Sequence, residues 1–274
     1  MASAYWDEAQ AERYRKFRYD FPERTLAGRS VIVAGGTGGL GAATVALLAR
    51  EGAAVIAGYR ANRERAEALR RAIEEQFKQK IGLVEGDIGR AETRHALLEA
   101  AQKSGAPLAG AAIFPGDPAR VAFEALDREV LMASLEANYI GPALLGKELG
   151  EAMERGEGGS IVVLASMQAV GVFPSSLNYG APKAALSHAA RILAQQWARV
   201  RVNVVAPGAT VVGMGGQSVG AGKYDRYIAS GAIARFGRPE DVARAVRFFL
   251  EPDNYTTGQM LVVDGGLTLR RDRG

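Results

Sequence analysis

The sequence predicts an α/β fold: one domain built on a doubly wound parallel sheet of seven strands, with an aromatic-rich N-terminal extension over residues 1–27. Three observations carry this expectation. Short β-rich runs alternate with helical stretches along the chain, the pattern of right-handed βαβ crossovers. Most of the runs are continuously apolar rather than alternating, as parallel strands covered on both faces require. A glycine-rich turn also separates the first run from the first helical stretch, where sheets of this kind place an anion site.

In chain order, strands are predicted at residues 30–34, 54–58, 81–85, 108–114, 160–165, 200–204 and 259–263. Helices are predicted at 40–50, 63–77, 93–103, 123–154, 178–198 and 239–250, the fourth breaking near Pro142. No repeat or linker divides residues 28–274, so they read as a single domain. Two segments stand outside the alternation. The extension carries Tyr5, Trp6, Tyr14, Phe17, Tyr19 and Phe21 and reads as an arm packed on its own domain or on a neighbouring subunit. Residues 209–237 are rich in glycine and follow a strand end, which suggests a flap over a ligand.

Composition removes several function classes. The 274 residues include no cysteine, which excludes disulfides and thiolate metal sites, and the two histidines, His95 and His188, are not at ligand spacing, so no metal is expected. A net charge of +4 with both signs interleaved gives no nucleic-acid footprint. No apolar run reaches membrane-spanning length, and the N-terminus lacks the apolar core of a signal peptide, so a cytoplasmic enzyme is expected.

The first strand runs into Ala34-Gly35-Gly36-Thr37-Gly38-Gly39-Leu40-Gly41 and then a helix. Such a turn lets the backbone approach a pyrophosphate while the helix N-terminus presents free N–H groups to it, so this is the expected dinucleotide site. The second strand ends Gly58-Tyr59-Arg60, followed by Arg63, with no carboxylate to take ribose hydroxyls. Arginine suits a 2′-phosphate through its planar fork, so NADP(H) is expected over NAD(H), with Arg60 as the reader.

Later, the strand at 160–165 leads into Ser166. Tyr179 follows thirteen residues on and Lys183 four beyond that, which puts Tyr and Lys on one helical face. Pro182 between them requires the helix to begin within about a turn of Tyr179. A free tyrosine has a pKa of ~10, too high for efficient proton exchange at neutral pH, and a nearby ammonium is expected to lower it by about one to three units. Ser166 could hold the reacting oxygen.

Together these residues resemble the short-chain dehydrogenase/reductase family in its single-domain Rossmann form, over about Leu26 to Leu267. The matching pieces are Gly35-x-x-x-Gly39-x-Gly41, Asp87-Ile88, Asn138-x-x-Gly141, Ser166, Tyr179-x-x-x-Lys183, Arg201-Val202-Asn203-x-x-x-Pro207-Gly208 and Asp264-Gly265-Gly266. The resemblance implies Tyr179 as general acid and base, with Lys183 lowering its pKa and both contacting the nicotinamide ribose. Ser166 would bond the reacting oxygen, and Asn138 would hold a water linking Lys183 to solvent. Gly35, Thr37, Gly39, Leu40 and Gly41 would hold the cofactor phosphates, Asp87 and Ile88 the adenine, and Pro207 and Gly208 the nicotinamide. The implied activity is interconversion of a ketone and a secondary alcohol, 3-oxoacyl reductase-like, on a small substrate either free or carrier-linked, by a homodimer or homotetramer. A nucleotide-binding regulatory or scaffold protein is the alternative. It is motivated by one departure: the family's Asn-Asn-Ala-Gly run is here Ile113-Phe114-Pro115-Gly116, which lacks the polar side chains for the adenosine ribose. Val212 likewise stands where a Thr or Ser would meet the carboxamide. Val170, Val172, Phe173 and Met214 suggest a largely hydrophobic substrate pocket.

Overall fold

The computed structural model describes residues 23–174 and 176–270. The aromatic arm residues Tyr5 to Phe21 and the C-terminal Arg271 and Arg273 lie outside the described residues. The elements run β1 (Ser30–Ala34), α1 (Gly39–Arg50), β2 (Ala54–Tyr59), α2 (Arg63–Phe77), β3 (Gly82–Glu85), α3 (Ala91–Lys103) and β4 (Leu108–Ile113). After α4 (Arg128–Leu135), α5 (Gly141–Arg155), β5 (Gly159–Leu164), α6 (Leu177–Leu193) and β6 (Val200–Pro207) come two short helices, α7 (Gly213–Gly220) and α8 (Asp225–Ala229). The fold closes with α9 (Pro239–Leu250), β7 (Met260–Val263) and α10 (Leu267–Arg270).

All seven strands are parallel, in the order β3-β2-β1-β4-β5-β6-β7. The chain winds outward from β1 in one direction and from β4 in the other, so the segments leaving the C-terminal ends of these two adjacent strands part and open a crevice there.

The continuous apolar runs divide by pleat. Val31, Val33, Val55, Ala57, Val162 and Leu164 face one side, where they pack on Val45 and Leu48 of α1 and Val242, Val246 and Phe249 of α9. Ile32, Ile56, Ile113, Ile161 and Val163 face the other, against Leu97 of α3, Leu145 and Leu149 of α5, and Leu186 of α6. Both faces are covered, which is why the strands show no polar alternation. Leu26 packs into the first of these clusters, so the last residues of the extension belong to the core.

Local signals set the helix ends. Asn62 Oδ1 accepts the Arg65 N–H at 2.9 Å, and Asp127 Oδ1 accepts the Val130 N–H at 2.8 Å, N-caps that satisfy otherwise orphaned donors. The expected helix over 123–154 is divided, but not at Pro142. A π-turn, Glu136–Ile140, joins α4 to α5, and the Gly141 N–H reaches back to Glu136 O. Pro142 has no N–H to give, and its ring crowds the carbonyl four residues back, so the widened turn falls just before it. The helix expected over 178–198 ends earlier, at Leu193.

Residues 209–237 hold more structure than a flap reading implies. They contain α7 and α8 and are pinned at both ends by a parallel bridge between Thr210 and Gly237. Tyr224, Tyr227, Ala232 and Ile233 pack with Met167, Phe173 and Leu267 in a third, smaller core beyond the strand ends.

Candidate active site

The crevice at the β1/β4 divergence holds two cavities. The larger, about 670 Å³, runs from Gly35 past Tyr59 and Arg60 to Asp87, Ile88 and Thr93, and on to Pro115 and Gly116. The smaller, about 160 Å³, is lined by Leu40, Ser166, Tyr179, Lys183, Pro207 and Gly208 among others. The structure therefore brings the expected site residues together in two groups, with Phe114 and Pro115 at the boundary.

Geometry at the glycine turn fits a dinucleotide. Gly35 has φ +72°, and a Cβ there would also press on Phe114 and Pro115. A Cβ on Gly41 would stand 2.2 Å from Gly35 O, and one on Gly39 2.7 Å from Gly213 N. Gly41 thus seats α1 against the turn, and the first turn of α1 carries no acidic side chain to oppose an anion. Thr37, Gly39 and Gly41 shape this turn without lining either cavity, whereas Gly35 and Leu40 line them.

Around the far end of the larger cavity, Arg60 is exposed at the end of β2. The Tyr59 hydroxyl donates to Glu85 Oε2 at 3.0 Å, which engages the carboxylate at the end of the neighbouring strand. Asp87 Oδ1 accepts the Gly89 N–H at 2.9 Å. No local pattern marks Arg94, whose buried guanidinium donates to Ile88 O at 2.9 Å and Gly89 O at 3.0 Å. It also pairs with Glu148 Oε1 of α5 at 2.8 Å, so one side chain ties the Asp87–Gly89 turn to two helices.

In the smaller cavity, Ser166 sits on extended backbone just past β5, and its Oγ accepts the Gln168 N–H at 3.2 Å. That leaves the hydroxyl hydrogen for another partner. Tyr179 lies in the first turn of α6. Burial pushes its pKa up to about 12; a hydrogen bond from Ser166 works against that rise and the nearby Tyr224 adds to it. The expected lowering by Lys183 is therefore not what the structure gives. Dehydration dominates at Tyr179, and Lys183 itself falls to about 8 through burial. Its Nζ donates to Leu164 O at 3.0 Å and reaches Pro115 O at 3.5 Å.

Asn138 is fully buried, and its side-chain amide is engaged by neighbouring protein groups. Oδ1 accepts the Asp117 N–H at 3.1 Å; Nδ2 donates to Asp117 O at 3.0 Å and Ser134 Oγ at 3.1 Å. The amide is spent on fixing the segment after β4, which carries the Pro115 carbonyl facing Lys183. Ser134 in turn donates to Asn178 O, the carbonyl that Pro182, lacking an N–H, leaves free in α6. Where polar side chains were missing, Phe114 and Pro115 lean on Gly35 instead, and the Phe114 N–H continues the ladder to Ala34 O at 3.0 Å.

The expectation of a hydrophobic pocket also needs correction. Val170 and Val172 are exposed, and Phe173 packs in the third core rather than on the cavity; the side chain of Met214 lies outside the described residues. Tyr224, Gln168, Arg120 and Lys223 line the cavity in their place. None of them lies at a spacing that marks it, because the segments that carry them meet only in three dimensions. Among the described residues, no group of His, Cys, Asp and Glu is placed to hold a metal ion, and no helix is long and apolar enough to cross a membrane.

Comparison with known proteins identifies the family. A family model described as enoyl-(acyl carrier protein) reductase matches residues 34–268. The chain is 31% identical over 257 residues to 3beta-hydroxysteroid dehydrogenase 1 of Eggerthella lenta, covering 89% of this chain and 95% of that one. It is 33% identical over 255 residues to cis-4-hydroxycyclohexanecarboxylate dehydrogenase of Sinomonas cyclohexanicum, covering 89% and 98%. A solved short-chain type dehydrogenase/reductase from Mycobacterium ulcerans is similar with a TM-score of 0.82 at 26% identity, over 89% of this chain and 91% of that one. With a seven-stranded parallel sheet that diverges at β1 and β4, a glycine turn at the crevice and relatives matched almost end to end, the chain belongs to the short-chain dehydrogenase/reductase family of oxidoreductases.

Proposed function

We propose that this enzyme interconverts a ketone and a secondary alcohol, with NADP(H) preferred over NAD(H) and Tyr179 as the proton donor and acceptor. The observation that carries this reading is the convergence of Ser166, Tyr179 and Lys183 on one small cavity beside the glycine turn. When bound, NADPH supplies the hydride. Gly35 and Leu40 with the α1 N-terminus would hold its phosphates, Asp87 and Ile88 its adenine, and Lys183 with Pro207 and Gly208 its nicotinamide end.

Ser166 donates to the carbonyl oxygen and orients it. Tyr179 delivers a proton to that oxygen as it becomes a hydroxyl, and takes the proton back in the reverse direction. A phenol at about 12 is almost wholly protonated at neutral pH, so it is a ready acid and a poor base. Alcohol oxidation should therefore gain roughly tenfold in kcat/KM per pH unit from pH 7 upward until another group limits it. Ketone reduction should stay level and decline as Lys183 loses its proton near pH 8. Paired pH profiles in the two directions check this; an oxidation profile flat from pH 7 to 10 would contradict it.

The two named relatives are dehydrogenases of a hydroxysteroid and of a hydroxycyclohexanecarboxylate, alcohols within the proposed class. The family model's description concerns an enoyl group, but a cavity arranged to hold and protonate an oxygen favours a carbonyl. The NADP(H) preference rests on Arg60 lining the larger cavity and on Glu85 being engaged by Tyr59. Fluorescence titration is expected to find NADPH bound more tightly than NADH, and Arg60→Ala should cost about tenfold in NADPH affinity while leaving NADH little changed. Equal affinities in the unmodified enzyme would remove the claim. A homodimer or homotetramer fits the exposed Leu144 of α5 and Ile192 of α6.

A further inference from the structure

A buried cation holds the turn at the expected adenine site from behind. Arg94 stands in the first turn of α3. Its Nη1 donates to two successive carbonyls, Ile88 O at 2.9 Å and Gly89 O at 3.0 Å, and its Nε donates to Glu148 Oε1 of α5 at 2.8 Å. Stability alone gives little reason for this arrangement. The first turn is the end of a helix where the dipole disfavours a cation, and apolar side chains of similar size often replace a buried ion pair without loss. The pair is also incomplete: among the described residues, the buried Glu148 Oε2 has no hydrogen-bond partner.

What the cation fixes is the orientation of two peptide planes. Ile88 O shares a plane with the Gly89 N–H, and that N–H donates to Asp87 Oδ1 at 2.9 Å. Gly89 O shares the next plane with the Arg90 N–H, which donates to Asp87 O at 3.0 Å. Both planes are therefore held at two edges, by Arg94 on one side and by Asp87 on the other. A Cβ on Gly141 would stand 3.3 Å from Gly89 N, so the start of α5 backs the turn directly. Further along the same helix, Glu148 braces it through Arg94. Asp87, Ile88 and Gly89 all line the larger cavity, whereas Arg94 lines neither cavity. The contacts thus run from the α5 carboxylate to the guanidinium, to the two planes, and to the Asp87 carboxylate on the cavity wall.

A carboxylate takes a hydrogen bond from the amino group of adenine only when an oxygen is aimed at it, because such bonds weaken steeply with misalignment. We propose that Arg94 is a positioning residue for the cofactor. Through the Ile88 and Gly89 carbonyls it aims the Asp87 carboxylate at the adenine amino group, and so sets how tightly and how selectively the adenine end binds. This rests on the placement of adenine at Asp87 and Ile88. Since Arg94 lies outside both cavities, its replacement should raise KM for NADPH and leave kcat at saturating NADPH within about twofold. Lysine is no substitute, because a single ammonium lacks the fixed fork that reaches a carboxylate and two carbonyls at once.

Fluorescence titration with NADPH and with its hypoxanthine analogue, which has an oxygen in place of the amino group, tests the proposal. The unmodified enzyme should bind NADPH about tenfold more tightly than the analogue, the size of one hydrogen bond to a charged group, and Asp87→Ala should bring that ratio to about one. Arg94→Met and Arg94→Lys should each weaken NADPH binding by about tenfold, leave the analogue nearly unchanged and bring the ratio toward one. Arg94→Met strands the Glu148 carboxylate, so the double variant Arg94→Met, Glu148→Met is measured beside it; an apolar pair keeps the fold and should give the same ratio. Arg90→Gln, which removes an exposed positive charge from the same turn, should leave the ratio as it is. A ratio that stays near tenfold in the Arg94 variants, or an equal loss of both cofactors, would overturn the proposal. The two readings fail differently. If the unmodified enzyme binds NADPH and the analogue alike, the adenine placement falls and this proposal with it. Discrimination lost in Asp87→Ala but kept in the Arg94 variants leaves the placement standing and refutes the proposal alone.

Discussion

Replacing Tyr179 by phenylalanine should lower kcat/KM for ketone reduction by about 10²–10⁴-fold, the usual worth of a positioned general acid, while NADPH still binds. The substitution keeps the ring and its packing in α6 and deletes only the hydroxyl that Ser166 contacts. Ser166 cannot take over the proton transfer, because its pKa lies far above that of a phenol and its Oγ already accepts the Gln168 N–H. Tyr224 has the right chemistry, but it is Tyr179 that Ser166 contacts. Steady-state kinetics alongside a cofactor titration separate the outcomes. A variant that keeps more than about a tenth of wild-type turnover would show that the proton comes from elsewhere.

The second large effect sets stability against activity. Lys183 is fully buried in α6, and its pKa is depressed from an ordinary lysine value to about 8 by loss of water. The sign follows from linkage. Below pH 8 the ammonium is charged in both the folded and unfolded chains, so the folded state bears the whole burial cost, about 3 kcal/mol. Between pH 8 and ~10.5 the folded lysine sheds its proton first and the cost fades. Lys183→Met removes the charge but strands the Leu164 carbonyl and weakens the surroundings of Pro115, which returns about 1–2 kcal/mol. The variant should therefore unfold a few degrees higher than wild type at pH 7, lose that advantage by pH 10, and be all but inactive. Thermal unfolding at the two pH values is the check. A variant less stable than wild type at pH 7 would mean that the ammonium is held more favourably than its burial implies.

How much of this was legible in the sequence depends on what kind of contact encodes each part. The sheet was legible because both faces of every central strand are buried, so strands such as Ile161–Val163 carry apolar residues at successive positions. The short helices α7 and α8 were not. They are eight and five residues long, the longer is half glycine, and what holds the segment is the cluster of Tyr224, Tyr227 and Ile233 on Phe173 and Leu267. Their cause is tertiary, and no local period announces it. The irregularity near Pro142 was expected in roughly the right place, yet the turn that absorbs it precedes the proline, because the crowding acts four residues back.

The site shows the same division. The one-turn spacing of Tyr179 and Lys183 and the glycine turn are local patterns, and each lines a cavity at the divergence of β1 and β4. The electrostatics were not legible, because spacing sets the ammonium against the phenol but says nothing of the dehydration of both. Asn138, Ser134 and Asn178 form a chain of hydrogen bonds across α4, α6 and the segment after β4, and only the fold brings those positions together. Arg120 and Lys223 were hidden for the same reason: 103 residues separate them in sequence, and they share a wall.

The most direct test of the central claim is a screen of NADPH consumption over a panel of ketones, with alcohol product measured in parallel. Consumption should be matched one to one by secondary alcohol for at least one ketone, and should be lost in Tyr179→Phe. Tight NADPH binding with no carbonyl reduced and no alcohol oxidised across the panel would contradict it.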